Sequence, residues 1–170
     1  MAGATSRVAI GLATAAFAAL VQSAEPARYA IKQSEPDTGT RIPSNIVEGS
    51  RLPLDKRYAE LTPEQQKLLK SQYEQMGDAD EPPFPANGLG PLYRQIARGQ
   101  QKLLARGPLT MFVDIDATGT AIAVQVLQSP DPQATRYVAA VLMEEKYKPA
   151  LCDGTPCRMQ FPFRIDFRVR

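Results

Sequence analysis

The chain predicts an α+β fold: a three-stranded antiparallel sheet with a helix crossing over it, preceded by helices and an extended N-terminal arm. Three patterns predict it. From Cys157 to Val169 the residues alternate strictly, with Cys157, Met159, Phe161, Phe163, Ile165, Phe167 and Val169 on one face. The other face carries Arg158, Gln160, Pro162, Arg164, Asp166 and Arg168. Period two with that contrast is a strand with one buried and one solvated side. Leu109, Met111, Val113 and Ile115, then Ile122, Val124 and Val126, repeat the pattern on either side of an Asp116–Gly119 turn, which makes a hairpin. Between hairpin and last strand, Ala134, Tyr137, Val138, Val141 and Leu142 recur at helical spacing.

The order strand, strand, helix, strand fixes the sheet. A right-handed crossover places the last strand parallel to the second, with the first between them. The last strand is then an edge, which suits Pro162, because proline has no N–H to give a ladder. An edge strand leaves backbone groups able to recruit an extended peptide.

Composition narrows the function classes. The 170 residues carry a formal charge of +2, too even a balance for the basic field that drives nucleic-acid binding. The sequence has no histidine, so Ser–His–Asp and Cys–His nucleophile pairs cannot be assembled, and only cysteines and carboxylates remain as metal ligands. Asp114 and Asp116 share a strand side near a turn, but two acids are too few for a calcium loop. They read as a solvated face. No catalytic site, metal site or cofactor is expected, and the chain does not read as an enzyme.

Residues 1–24 read as a signal peptide. Arg7 precedes an apolar run from Val8 to Val21, and the small residues Ser23 and Ala24 follow. A run of about fourteen residues falls short of the roughly twenty that span a bilayer. It suits a secretory core with cleavage after Ser23 or Ala24, the alternative being an uncleaved inner-membrane anchor. The expected location is therefore the periplasm.

Residues 25–80 read as an extended arm plus one helix. Thr62 is the N-cap, Pro63 the first helical position and Gln65 the reciprocal partner of a capping box, with the helix running to about Met76 and stopping at Gly77. Residues 81–106 read as a proline-punctuated linker and a second helix, Leu92 to Leu104. Its Arg94, Arg98 and Lys102 form a solvated ladder. Residues 107–170 form the main domain. Within it Asp131 caps the crossover helix and Pro132 fits its first turn. Cys152 and Cys157 flank an Asp-Gly-Thr-Pro turn and, in an exported protein, are expected to form a disulfide worth roughly 2 kcal/mol.

The stretch from about Gly107 to Val169 resembles the C-terminal domain of the TonB energy-transducer family. The resemblance rests on the Asp116–Gly119 turn, the strand end Val126–Ser129, Tyr147-Lys-Pro-Ala150, Asp153-Gly-Thr-Pro156 and Phe161-Pro-Phe163-Arg-Ile165. It implies a docking edge at Met159, Gln160, Phe161, Pro162, Phe163, Arg164, Ile165, Asp166 and Phe167. The implied partner is an extended peptide of an outer-membrane TonB-dependent transporter, or a second copy of the chain. Arg158, Arg164 and Arg168 would select acidic peptide residues. The family's histidine-bearing membrane helix and long Pro/Lys/Glu spacer have no counterpart here. The expected role is thus an envelope binding or adaptor module using β-strand addition. A short membrane-anchored transducer and a structural envelope protein are the alternatives.

Overall fold

The computed structural model describes residues 52–74 and 76–168. The expected signal segment and most of the arm lie outside them. Among the described residues the fold is α+β, with three α-helices and several small antiparallel sheets.

The central sheet has the order β3-β2-β7, all antiparallel, with β2 spanning Gly107–Ile115, β3 Ala121–Gln128 and β7 Met159–Phe167. This is the order that the handedness rule gives, and β7 is an edge. Leu109, Met111, Val113 and Ile115 are at most 0% exposed and face the helices, as the alternation requires.

Three helices follow their sequence signals with shifted ends. Helix α1 spans Pro63–Lys70, and its capping box is present in both directions between Thr62 and Gln65. It stops well before Met76, contrary to the expectation. The Ser71 hydroxyl turns back onto the Leu68 carbonyl, and Gln72 and Tyr73 close short turns onto Leu69 and Lys70. That tightening delivers Tyr73 to the sheet, where its ring is buried. Helix α2 spans Leu89–Leu103 and exposes Arg94, Arg98 and Lys102 as expected. Helix α3 spans Pro132–Glu144, and the Asp131 carboxylate accepts from the backbone of Gln133 and Ala134 at its start. Helices α2 and α3 pack together at Gly99, where any Cβ would enter the Tyr137 ring. The Tyr137 hydroxyl donates to the Gln95 carbonyl at 2.7 Å.

The core is continuous across the segments read as arm, linker and domain. Leu52, Tyr58, Leu61 and Leu69 belong to the same apolar cluster as Leu92, Ile96, Val138, Leu142 and Phe163. Each such side chain contributes roughly 1.5–3 kcal/mol by leaving water. The proline-rich stretch is also built in: Pro82, Pro83, Phe84 and Pro85 are buried. Its strand β1, Phe84–Pro85, pairs with β4, Tyr147–Lys148. Lys148 fastens that junction. Its ammonium lies 2.9 Å from Glu81, donates to the Pro149 carbonyl and sits 4.6 Å from the centre of the Tyr58 ring.

The second face of the sheet departs most from expectation. Read as solvated, it is covered over Phe112 and Asp114, which are both 5% exposed. Tyr73, Ala150 and Cys152 form the cover, in a second apolar cluster with Phe112 and Met159 of the sheet, and Met76 and Cys157 pack against it. Its hairpin consists of β5, Ala150–Cys152, and β6, Thr155–Cys157, closed by the Cys152–Cys157 disulfide. The two turn residues, Asp153 and Gly154, both have positive φ, as a two-residue hairpin of matching twist needs.

Candidate partner-binding site

The two edges of the central sheet differ in regularity. Strand β7 pairs with β2 through nine consecutive residues, Gly107↔Phe167 to Ile115↔Met159, without a bulge. Strand β3 slips twice against β2, between Thr110 and Met111 and between Asp114 and Ile115, so Leu127 and Ile122 have no opposite residue. Both extra residues are exposed large apolar side chains. Bulges bend and twist an edge and blunt it against further pairing. The regular edge is β7.

The backbone of β7 is placed by its neighbours. Residues of an antiparallel ladder alternate between those that bond the partner strand and those that face away. The Tyr73 hydroxyl donates to the Gln160 carbonyl at 2.8 Å, which assigns Gln160, Pro162, Arg164 and Asp166 to the outward set. Proline placement agrees, since Pro162 and Pro108 both fall at positions of that set, Pro162↔Phe112 and Pro108↔Asp166. Pro162 therefore removes no bond to β2.

The side chains of the implied docking strand divide between two tasks. Phe161, Phe163 and Phe167 are buried in the main core, Met159 in the second cluster, and Ile165 packs against the main core from a half-buried position. Tyr147 stacks at a tilt on Phe161 and Tyr93 on Phe163. These aromatics are core. Gln160, Arg164 and Asp166 are half-buried on the other face, and Pro162 is buried.

The three arginines expected to read an acidic peptide are engaged differently. Arg158 pairs with the buried carboxylate of Asp114 at 3.0 Å. That corrects the reading of Asp114 as part of a solvated face: the second layer covers it, and Arg158 supplies its counter-charge. Arg168 pairs with Asp166 at 2.9 Å on the surface. Arg164 is half-buried, and desolvation holds its guanidinium below the ordinary range. Asp116 is not part of a carboxylate pair. Its carboxylate closes the hairpin turn by accepting from the hydroxyl and backbone of Thr118 and the backbone of Thr120, which holds its pKa low.

A cleft runs beside β7 between Leu69, Tyr73, Pro82, Phe84, Tyr93 and Phe163. It encloses about 20 Å³, room for one water. Among the described residues, no group of three or more metal-ligating side chains is placed to hold an ion, and no helix is long and apolar enough to cross a membrane.

Sequence reasoning missed Tyr73 and Asp80 as members of this neighbourhood. Tyr73 fits the stripe of a longer helix, and only the early stop at Ser71 redirects it. Asp80, 2% exposed, lies in a stretch that looks like a linker. Its carboxylate accepts from the backbone of Gly77 at 3.2 Å and of Asp153 at 2.7 Å, tying that stretch to the disulfide hairpin. No family model matches the chain, and no curated protein matches it.

Proposed function

We propose that the protein is an exported binding or adaptor module of TonB C-terminal type, working by β-strand addition at the β7 edge. The observation that carries this reading is the contrast between the sheet's edges, a nine-residue bulge-free register on β7 and a twice-slipped register on β3. A regular edge offers an incoming strand backbone partners in one register, save for the outward N–H that Pro162 lacks, and main-chain bonds supply the affinity in this mode of recognition. The resemblance of residues 107–169 supplies the partner class: an extended segment of an outer-membrane transporter, with a second copy of the chain as the other candidate.

The test is titration of isotope-labelled full-length protein with synthetic peptides taken from the N-terminal segments of such transporters. Strand addition predicts amide shifts concentrated from Gln160 to Phe167. Shifts confined to β3, or none at millimolar peptide, overturn it. Sedimentation of the protein alone separates self-pairing from peptide capture.

A further inference from the structure

We propose that the protein holds its own β7 edge in an inhibited state, with Leu69 to Tyr73 as the cover, Gly77 to Glu81 as the anchor and the Cys152–Cys157 disulfide as the latch. The inference rests on the strand-addition reading and adds its regulation. The cover is direct, because the Tyr73 hydroxyl occupies the outward carbonyl of Gln160, and Leu69 and Tyr73 line the cleft against Phe161 to Arg164. An incoming strand that pairs along the whole of β7 must displace that hydroxyl.

The anchor joins the cover to the hairpin in three ways. Tyr73 is buried in one cluster with Cys152, and Cys157 packs on it. The Asp80 carboxylate bonds the backbone of Asp153, inside the loop that the disulfide closes. Glu81 and Leu151 exchange two backbone bonds at 2.9 Å. These three attachments end on residues at or next to the closed loop, whose turn also holds Asp153 at φ 50°, while Glu81 keeps its separate ion pair with Lys148. A dithiol reductant would transfer two electrons and two protons to the bridge, leaving two cysteine thiols and an oxidised, disulfide-bonded reductant. The hairpin, no longer cross-linked, would then hold Asp153 and Leu151 less firmly, and the cover would lift. Cys157, half-buried, offers the point of attack.

The experiment combines amide exchange and peptide titration on the full chain, oxidised and after dithiothreitol, with Tyr73→Phe and Asp80→Asn as oxidised variants. Reduction is expected to speed exchange at Glu81 and Asp153 while Val113 stays protected. It should also tighten binding of the transporter peptides about tenfold, as the competent fraction rises. Tyr73→Phe keeps the ring, loses only the capping hydroxyl, and should bind more tightly without reductant. Wild-type binding that neither reduction nor Tyr73→Phe improves, or unchanged exchange at Glu81 and Asp153, overturns the latch and leaves strand addition standing. Faster exchange with no peptide bound in any state overturns strand addition, and the inhibitory role with it. Should the reduced chain unfold, tighter peptide binding by oxidised Tyr73→Phe and Asp80→Asn upholds the cover and its anchor, and unchanged binding by both overturns them.

Discussion

Gly119 lies directly under the carbonyl of Tyr147, and its own carbonyl accepts the Tyr147 N–H at 3.1 Å. The hairpin turn is thereby stitched to the chain entering β4. Gly119 also has φ +84°, so an added Cβ would meet both backbone strain and the Tyr147 oxygen. Gly119→Ala is expected to cost about 2–4 kcal/mol. Urea unfolding measures it, and a loss below about 0.5 kcal/mol would mean that the turn relaxes freely.

Leu104 ends α2 in the left-handed region, with φ 52°, and the residue is 62% exposed. A non-glycine residue pays for that conformation without gaining burial in return. Leu104→Gly should stabilise the protein by about 0.5–1 kcal/mol. A rise in the urea midpoint at unchanged slope is the expected signature, and a fall would show that the leucine makes a contact worth more than the strain.

Arg158 is the counter-charge of a carboxylate that the second layer has buried, and the Asp114 Oδ1 atom has no hydrogen-bond partner among the described residues. Arg158→Met removes the charge but keeps much of the side-chain length. Leaving Asp114 buried and unpaired should cost about 3–5 kcal/mol, whereas Arg158→Met combined with Asp114→Leu should recover part of it. A double-mutant cycle by thermal or urea unfolding reads the coupling. Equal costs for the single and double variants would contradict the pairing.

Burial pushes the phenols of Tyr58 and Tyr93 up to about 12, and raises Tyr73 and Tyr147 as well; Glu81 adds to the effect at Tyr58 and Glu145 at Tyr147. A raised folded-state value stabilises the fold fully below the unfolded phenol value, near 10, and that contribution is lost as pH rises through the folded value. Stability should therefore decline between about pH 10 and 12. Absorbance titration should show part of the six tyrosines ionising only as the near-ultraviolet circular dichroism collapses. A single ordinary transition for all six would refute their burial.

Legibility in the sequence followed the range of the interaction. Strands β2, β3 and β7, the Asp116 turn, the Thr62 capping box and the Asp131 cap are written in residues a few positions apart, where periodicity and capping chemistry act locally. Even the sheet order followed, because the handedness of the crossover leaves one arrangement. The β5–β6 hairpin was visible only as a turn between two cysteines, since strands of three residues carry too little period to read.

By itself, then, the sequence determined the helix-facing side of β2, the edge position of β7 and the disulfide partners, all consequences of alternation, proline chemistry and close cysteine spacing, whereas Ile122 and Val126, which alternation places on the apolar side of β3, are exposed. Only the tertiary structure decided that the sheet has a second cover, that Asp114 is a buried ion-pair partner, and that Tyr73 caps the edge at Gln160. Those outcomes depend on residues far apart in the chain, 44 positions for Asp114 and Arg158 and 87 for Tyr73 and Gln160. No local pattern distinguishes a tyrosine on a helix stripe from one that leaves the helix to fill a gap against a distant strand. Packing makes that choice, because leaving the helix buries the Tyr73 ring in the cluster that holds Phe112.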